Sequence, residues 1–301
     1  MITPHMTKLR TLALLWLIAS TPGIAGEKAN TKGPSSVWVA EKDGNRIYLA
    51  GTIHLLREKD YPLPEVFEQA YLDSKKLVFE LPSGSEGSGE VAQRMQRMGS
   101  YPVGDDLSSH IAPDVLKQVL AWGEKKSIPS TTLRGYRPWF LSLLMASLEY
   151  QAMGAVADRG LDTWFEKRAT KDGKPAAGLE SVEYQLSLFS ALSDKLQEQL
   201  LLQTLDEAVF MQKSFDELLA AWRGGDMVKL QEIMFRDADK YPELMDDFLN
   251  KRNQAWIAPL MQYLSDGGHV MVLIGAGHLG GKAGVLELLK AKGCTIRQLG
   301  G

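Results

Sequence analysis

The chain has 301 residues, 45% of them hydrophobic and 24% charged, a globular balance with room for one large domain or two small ones. Its formal net charge of -3 lacks the basic excess that phosphate backbones attract, so no nucleic-acid partner is expected. Cys294 is the single cysteine, which excludes an intramolecular disulfide and suits a small buried apolar side chain.

In chain order, residues 1–25 are expected to be a secretory signal peptide. Lys8 and Arg10 precede the short apolar run TLALLWLIAS (11–20), and Pro22-Gly23-Ile24-Ala25 offers small residues for cleavage after Ala25 or Gly26. The run is too short for a membrane span, and no cysteine follows it for a lipid anchor. The expected location is therefore periplasmic or secreted, with no transmembrane segment after cleavage. Residues 26–36 are expected to be a flexible linker leading to a domain over 37–301.

Two apolar runs around Asp43-Gly44 predict a hairpin. PEVFEQAYLDS (64–74) predicts a helix, and KLVFELP (76–82) a short strand stopped by Pro82. From about 90 to 265 the pattern is helical, with helices expected at 90–98, 112–126, 138–153, 160–171, 182–191, 194–222, 226–237 and 242–265. KPAAGLES (174–181) interrupts them and reads as a strand ending at Glu180. HVMVLIGA (269–276), GKAGVLELLKAKG (281–293) and TIRQL (295–299) then predict strand, helix and strand. The expected fold is α/β (α+β): a mixed central sheet built from N- and C-terminal strands, packed by helices, with a large helical insertion over about 90–265.

Both apolar strands that frame this insertion end in the same pattern, Gly51-Thr-Ile-His54 and Gly275-Ala-Gly-His278. A glycine three residues before each histidine is expected to give a tight turn, and sites in open α/β sheets gather at the carboxyl ends of strands. The two imidazoles are thus expected to converge. Glu80, a carboxylate in an apolar strand, needs a cation, a metal or hydrogen-bond donors. His54, Glu80 and His278 form a ligand set for a catalytic divalent ion, with Mn, Co and Zn all suited to N/O donors.

The paired Gly-x-x-His motifs, together with FELP, YRPWF (136–140), DRGLDTWF (158–165), GLESVEYQLSLF (178–189), KRNQAW (251–256) and IGAGHLGG, resemble the TraB/PrgY/GumN family over about 37–300. That family includes the Tiki metalloproteases and is related to erythromycin esterase and the haem-binding protein ChaN. The resemblance implies a mixed sheet with a helical insertion and a site around the two motifs. His54, Glu80 and His278 match its invariant positions, Arg252 and Asn253 its Arg-Asn pair, and Glu180 and Gln185 its LE…Q segment.

Two roles stay open at this level. Arg252 either binds a substrate carboxylate or oxyanion, or forms an ion pair locking its helix to the sheet. Glu180 is a second metal ligand, a general base, or a carboxylate favoured by a helix N-terminus. Asp162 lies in the first turn of its helix, where the dipole favours it. The leading expectation is an exported metal-dependent hydrolase acting on a peptide or small molecule, with Glu80, His54, His278 and Arg252 as catalytic residues supported by Gly51 and Gly275. The alternatives are a metal-free hydrolase with a histidine base, or a periplasmic protein that captures haem or peptide without turnover. Tyr48, Tyr61 and Tyr136 are the tyrosines near the motifs that a haem would use.

Overall fold

A computed structural model describes residues 33–85, 89–208, 210–236 and 242–300. The expected signal peptide and most of the expected linker lie outside the described residues.

The described chain forms two compact units. One is helical and comprises Gly84–Ala152 and Val182–Met211. Its helices are α2 (Gly89–Met98), α3 (Pro113–Lys125), α4 (Ser130–Arg134), α5 (Pro138–Ala152), α7 (Val182–Ser190) and α8 (Asp194–Ala208). They close over a core of Leu107, Val115, Val119, Trp122, Leu133, Leu141, Met145 and Leu201. Tyr136 and Gln185 belong to this unit. Arg137, ahead of the proline that opens α5, stacks on the Tyr101 ring at 4.9 Å.

The other unit carries the sheet. It holds β1 (Val37–Lys42), β2 (Asn45–Thr52), α1 (Glu65–Asp73), β3 (Lys76–Phe79), α6 (Leu161–Asp172), β4 (Ala176–Gly178), α10 (Met227–Met234), α11 (Pro242–Met245), α12 (Lys251–Ser265), β5 (Val270–Gly275), α13 (Val285–Ala291) and β6 (Thr295–Gln298), with nearly all of α9 (Met211–Arg223). The strand order is β4-β3-β5-β2-β1-β6. β4, β3, β5 and β2 run parallel, while β1 is antiparallel to both β2 and β6. The sheet is mixed and joins strands from both ends of the described chain.

Local chemistry explains the elements that position the site. Asp43 (φ 51°) and Gly44 (φ 81°) supply the left-handed pair that a two-residue hairpin needs. β5 is buried on both faces, as a central parallel strand must be. Its Val272 and Ile274 pack with Ile47, Leu49, Val78, Trp256, Leu260, Leu279 and Leu289 in one core. Met271 and Leu273 alternate with them along the pleat and are equally buried. Cys294 is buried in the same core.

Four expectations need correction. The helical stretch 90–265 is not one insertion, because α6, β4 and nearly everything from α9 onward belong to the sheet unit. The helix expected over 194–222 is two, α8 and α9. The helix expected over 242–265 is interrupted by a π-helical turn, Asp246–Asn250, between α11 and α12. The last linker residues are fixed: Ser35 and Ser36 are buried, Ser35 N–H donates to Leu299 O at 3.1 Å, and Ser36 Oγ donates to Trp222 O at 2.5 Å.

Candidate active site

Four neighbouring parallel strands end on one edge of the sheet, and each delivers one polar side chain just past its last residue. In sheet order these are Glu180 after β4, Glu80 after β3, His278 after β5 and His54 after β2. The Gly275 backbone is where three of them meet. A Cβ there would stand 3.2 Å from Glu80 Oε1, 3.6 Å from His278 Cδ2 and 3.7 Å from His54 Nε2. The histidines of the two Gly-x-x-His motifs thus lie beside the same backbone position.

The glycines serve it differently from the expectation. Neither Gly51 nor Gly275 has a positive φ, so neither is needed for a turn. They are needed for close approach. A Cβ on Gly51 would meet Leu279 Cδ1 at 2.9 Å and Ala276 Cβ at 3.1 Å. Gly275 N–H donates to Glu80 Oε1 at 2.7 Å, which a crowding side chain would disturb.

Arg252 and Trp256 share one face of α12, four residues apart, and the guanidinium lies 5.0 Å from the indole ring. Arg252 Nε donates to Glu180 Oε1 at 2.9 Å. Nη2 donates to Glu80 Oε2 at 2.7 Å and to Glu180 Oε2 at 2.9 Å. Nη1 donates to Phe248 O at 3.0 Å and to His278 Nε2 at 3.1 Å. Trp256 Nε1 completes the clamp on Glu180 Oε1 at 2.9 Å. Of the roles left open, Arg252 therefore displays the ion pair: all its N–H groups have acceptors within the chain. Glu180 is held by Arg252 and Trp256, a stronger anchor than the helix dipole expected for it.

His278 is buried and its tautomer is set by partners on both ring nitrogens. Asn253 Nδ2 donates to Ala283 O at 2.9 Å, which turns Asn253 Oδ1 toward His278 Nδ1 at 2.6 Å. The proton belongs on Nδ1, and the Nε2 lone pair faces Arg252 and Glu80. Burial pushes the His278 pKa down to about 4; the pull of Glu80 opposes this, while Arg252 and His54 add to it. For Glu80, burial alone raises the pKa, but His278, Arg252, His54 and the Gly275 N–H outweigh it and bring the carboxyl down to about 2.

His54 is the open member, with a side chain 53% exposed. Its Nδ1 lies 2.9 Å from Oδ2 of buried Asp162, an oxygen with no hydrogen bond of good geometry. Sequence reasoning treated Asp162 as a helix-dipole residue and missed this pairing. The signal was Gly160, two residues earlier, where the chain passes too close to His54 for any side chain.

The donor chemistry fits a divalent cation. His278 Nε2 lies 3.8 Å from Glu80 Oε1, His54 Nε2 lies beside the same Gly275 corner, and each imidazole has an oxygen acceptor at Nδ1, the usual support behind metal-binding histidines. Three buried carboxylates, Glu80, Glu180 and Asp162, stand against one guanidinium. The spacing does not yet fit, because no group of three or more His, Cys, Asp or Glu among the described residues is drawn together as a ligand cage. Arg252 holds Glu80 and the His278 lone pair instead.

A family model described as TraB/PrgY/gumN matches residues 36–298. Among curated proteins, YbaP of Escherichia coli (strain K12), described as uncharacterized, is 22% identical over 251 residues, covering 82% of this chain and 89% of its own. YbaP of Shigella flexneri, described likewise, matches with the same identity and coverage. No solved structure gives a significant match.

Proposed function

This chain belongs to the TraB/PrgY/gumN family, and on that premise we propose that it is an exported metal-dependent hydrolase acting on peptide bonds, with His54, Glu80 and His278 holding the ion. The supporting observation is the convergence of His54 Nε2, His278 and Glu80 Oε1 on Gly275, with an acceptor behind each imidazole. A bound divalent ion would supply an electrophile for a carbonyl oxygen and acidify a water.

The chain's own groups divide the remaining work. Glu80, brought to about 2, is a poor proton acceptor and a good permanent anion, so it suits holding a cation better than acting as base. His278, neutral and locked by Asn253, offers a lone pair once Arg252 Nη1 turns away. The guanidinium is planar and rigid, so such a turn moves Arg252 as a unit and loosens its Nε and Nη2 bonds to Glu180 as well. Only His54 opens widely to solvent, which makes it the side from which a substrate arrives.

One observation favours a second reading. The 3.1 Å contact of Arg252 Nη1 with His278 Nε2 already occupies that lone pair. A metal-free hydrolase would then use His54, backed by Asp162, as general base. Haem capture has less support: Tyr48 hydroxyl donates to Asp73, Tyr61 hydroxyl to Arg159 O, and Tyr136 belongs to the helical unit.

Thermal melting of chelator-treated protein separates the two, since a ligand that binds the folded state raises Tm. Mn, Co or Zn is expected to raise the wild-type Tm and to turn on cleavage of an unstructured peptide library, with a smaller shift in His54→Ala and His278→Ala. Peptide cleavage that persists in chelator, with no shift from any of the three ions, would sink the metal reading and establish the metal-free one.

A further inference from the structure

We infer that Asp162 is the positioning residue of His54, fixing the proton on Nδ1 and aiming the Nε2 lone pair at the Glu80–Gly275 corner. The inference deepens the proposed function and rests on that reading for what His54 does, but its geometry stands apart from it.

The first turn of α6 is docked onto the end of the His54 strand by two backbone features. Leu161 N–H donates to Ile53 O at 3.1 Å. A Cβ on Gly160 would come within 2.1 Å of His54 O, so only glycine lets the chain pass there. The next side chain but one is Asp162, 5% exposed, with Oδ2 2.9 Å from His54 Nδ1. That oxygen makes no hydrogen bond of good geometry, to His54 or to any other described group, and the imidazole nitrogen is the polar atom beside it. A buried carboxylate oxygen is costly unless it serves a proton donor, and the imidazole Nδ1–H is the donor at hand. The helix N-terminus on which Asp162 sits favours its charge.

The two imidazoles of the site are therefore not equivalent. His278 is buried and backed by a neutral amide, Asn253. His54 is half exposed and backed by a carboxylate, a stronger acceptor that makes Nε2 the better electron donor. His278 is the fixed partner, and His54 the one whose orientation depends on a second residue. An asparagine at 162 would remove this bias, because its amide presents either an acceptor or a donor to Nδ1.

The test is the tautomer of the His54 ring in full-length, chelator-treated protein, read from two-bond 15N–1H correlation spectra and assigned by the signals lost in His54→Ala. Wild type is expected to carry the proton on Nδ1. Asp162→Asn is expected to lose that preference and Asp162→Glu to restore it, with the His278 pattern unchanged in both. Calorimetric titration with Mn, Co or Zn chloride alone is expected to weaken about 10- to 100-fold in Asp162→Asn. A wild-type proton on Nε2, or an Asp162→Asn variant with an unaltered His54 tautomer, overturns the assignment. Should Asp162→Asn fail to fold, the wild-type spectrum decides alone. If wild type binds none of the ions but shows the expected tautomers, the metal reading falls and the role of Asp162 stands.

Discussion

Glu80 and Asp162 are both buried carboxylates, yet their neighbours give them different tasks. Glu80 faces a guanidinium, a backbone N–H and two imidazoles, so its charge is held firmly. Asp162 faces one imidazole nitrogen. His278 shows the converse of Glu80: burial opposes its charge. Its folded pKa of about 4, against an ordinary 6.5, fixes the sign of a pH effect. Between these values the unfolded chain binds more protons at this position than the folded chain. Stability from this group is therefore full above about pH 6.5 and is lost as pH falls toward 4, by at most about 1.4 kcal/mol per pH unit. Urea midpoints of chelator-treated protein should fall across this window in wild type, and His278→Gln should flatten that part of the profile. Equal slopes in the two proteins would show that His278 is not held neutral. Glu80 acts lower, its stabilisation being lost as pH falls from about 4.5 toward 2.

At the scale of elements, α12 carries more of the site than any single strand. Arg252, Asn253 and Trp256 occupy its first two turns and engage Glu80, Glu180 and His278. The π-helical turn that leads into it places the Phe248 carbonyl where Arg252 Nη1 finds it. Farther along, Leu260 and Leu264 anchor the helix in the sheet core. Leu260 is fully buried, so Leu260→Ala is expected to cost about 2–5 kcal/mol in urea unfolding. A loss below about 1 kcal/mol would mean that α12 is not seated on the sheet as described. Helix periodicity alone did not reveal the breaks in the long helical stretches. Residues 208–211 contain neither glycine nor proline, and neither do 246–250. In both places the helical pattern continues through a break that no local residue announces.

For the whole molecule, the destination is a proposal carried by the expected leader. No described helix is long and apolar enough to cross a membrane. We propose export on the strength of Lys8, Arg10 and the apolar run after them. Protein recovered from the periplasm of a Gram-negative host is expected to begin near Gly26 or Glu27 by N-terminal sequencing. An intact Met1 or Met6 on cytoplasmic protein would remove this assignment. Much of the sheet unit was legible beforehand. Period-2 apolar runs, the Asp43-Gly44 turn and the repeated Gly-x-x-His ends marked β1, β2 and β5, and with them His54 and His278. Those signals are local, and local backbone and hydrophobic preferences act over a few residues. Strand order is not local: only the parallel pairing of β4, β3, β5 and β2 puts Glu180, Glu80, His278 and His54 on one edge. The saturation of Arg252, the approach roles of Gly51 and Gly275, and the Asp162–His54 pair likewise depend on which distant segments touch. Sequence by itself determined the strand ends, the two imidazoles and the family. Tertiary structure alone decided their neighbours, because the charge, tautomer and freedom of a buried polar group are set by contacts from remote parts of the chain.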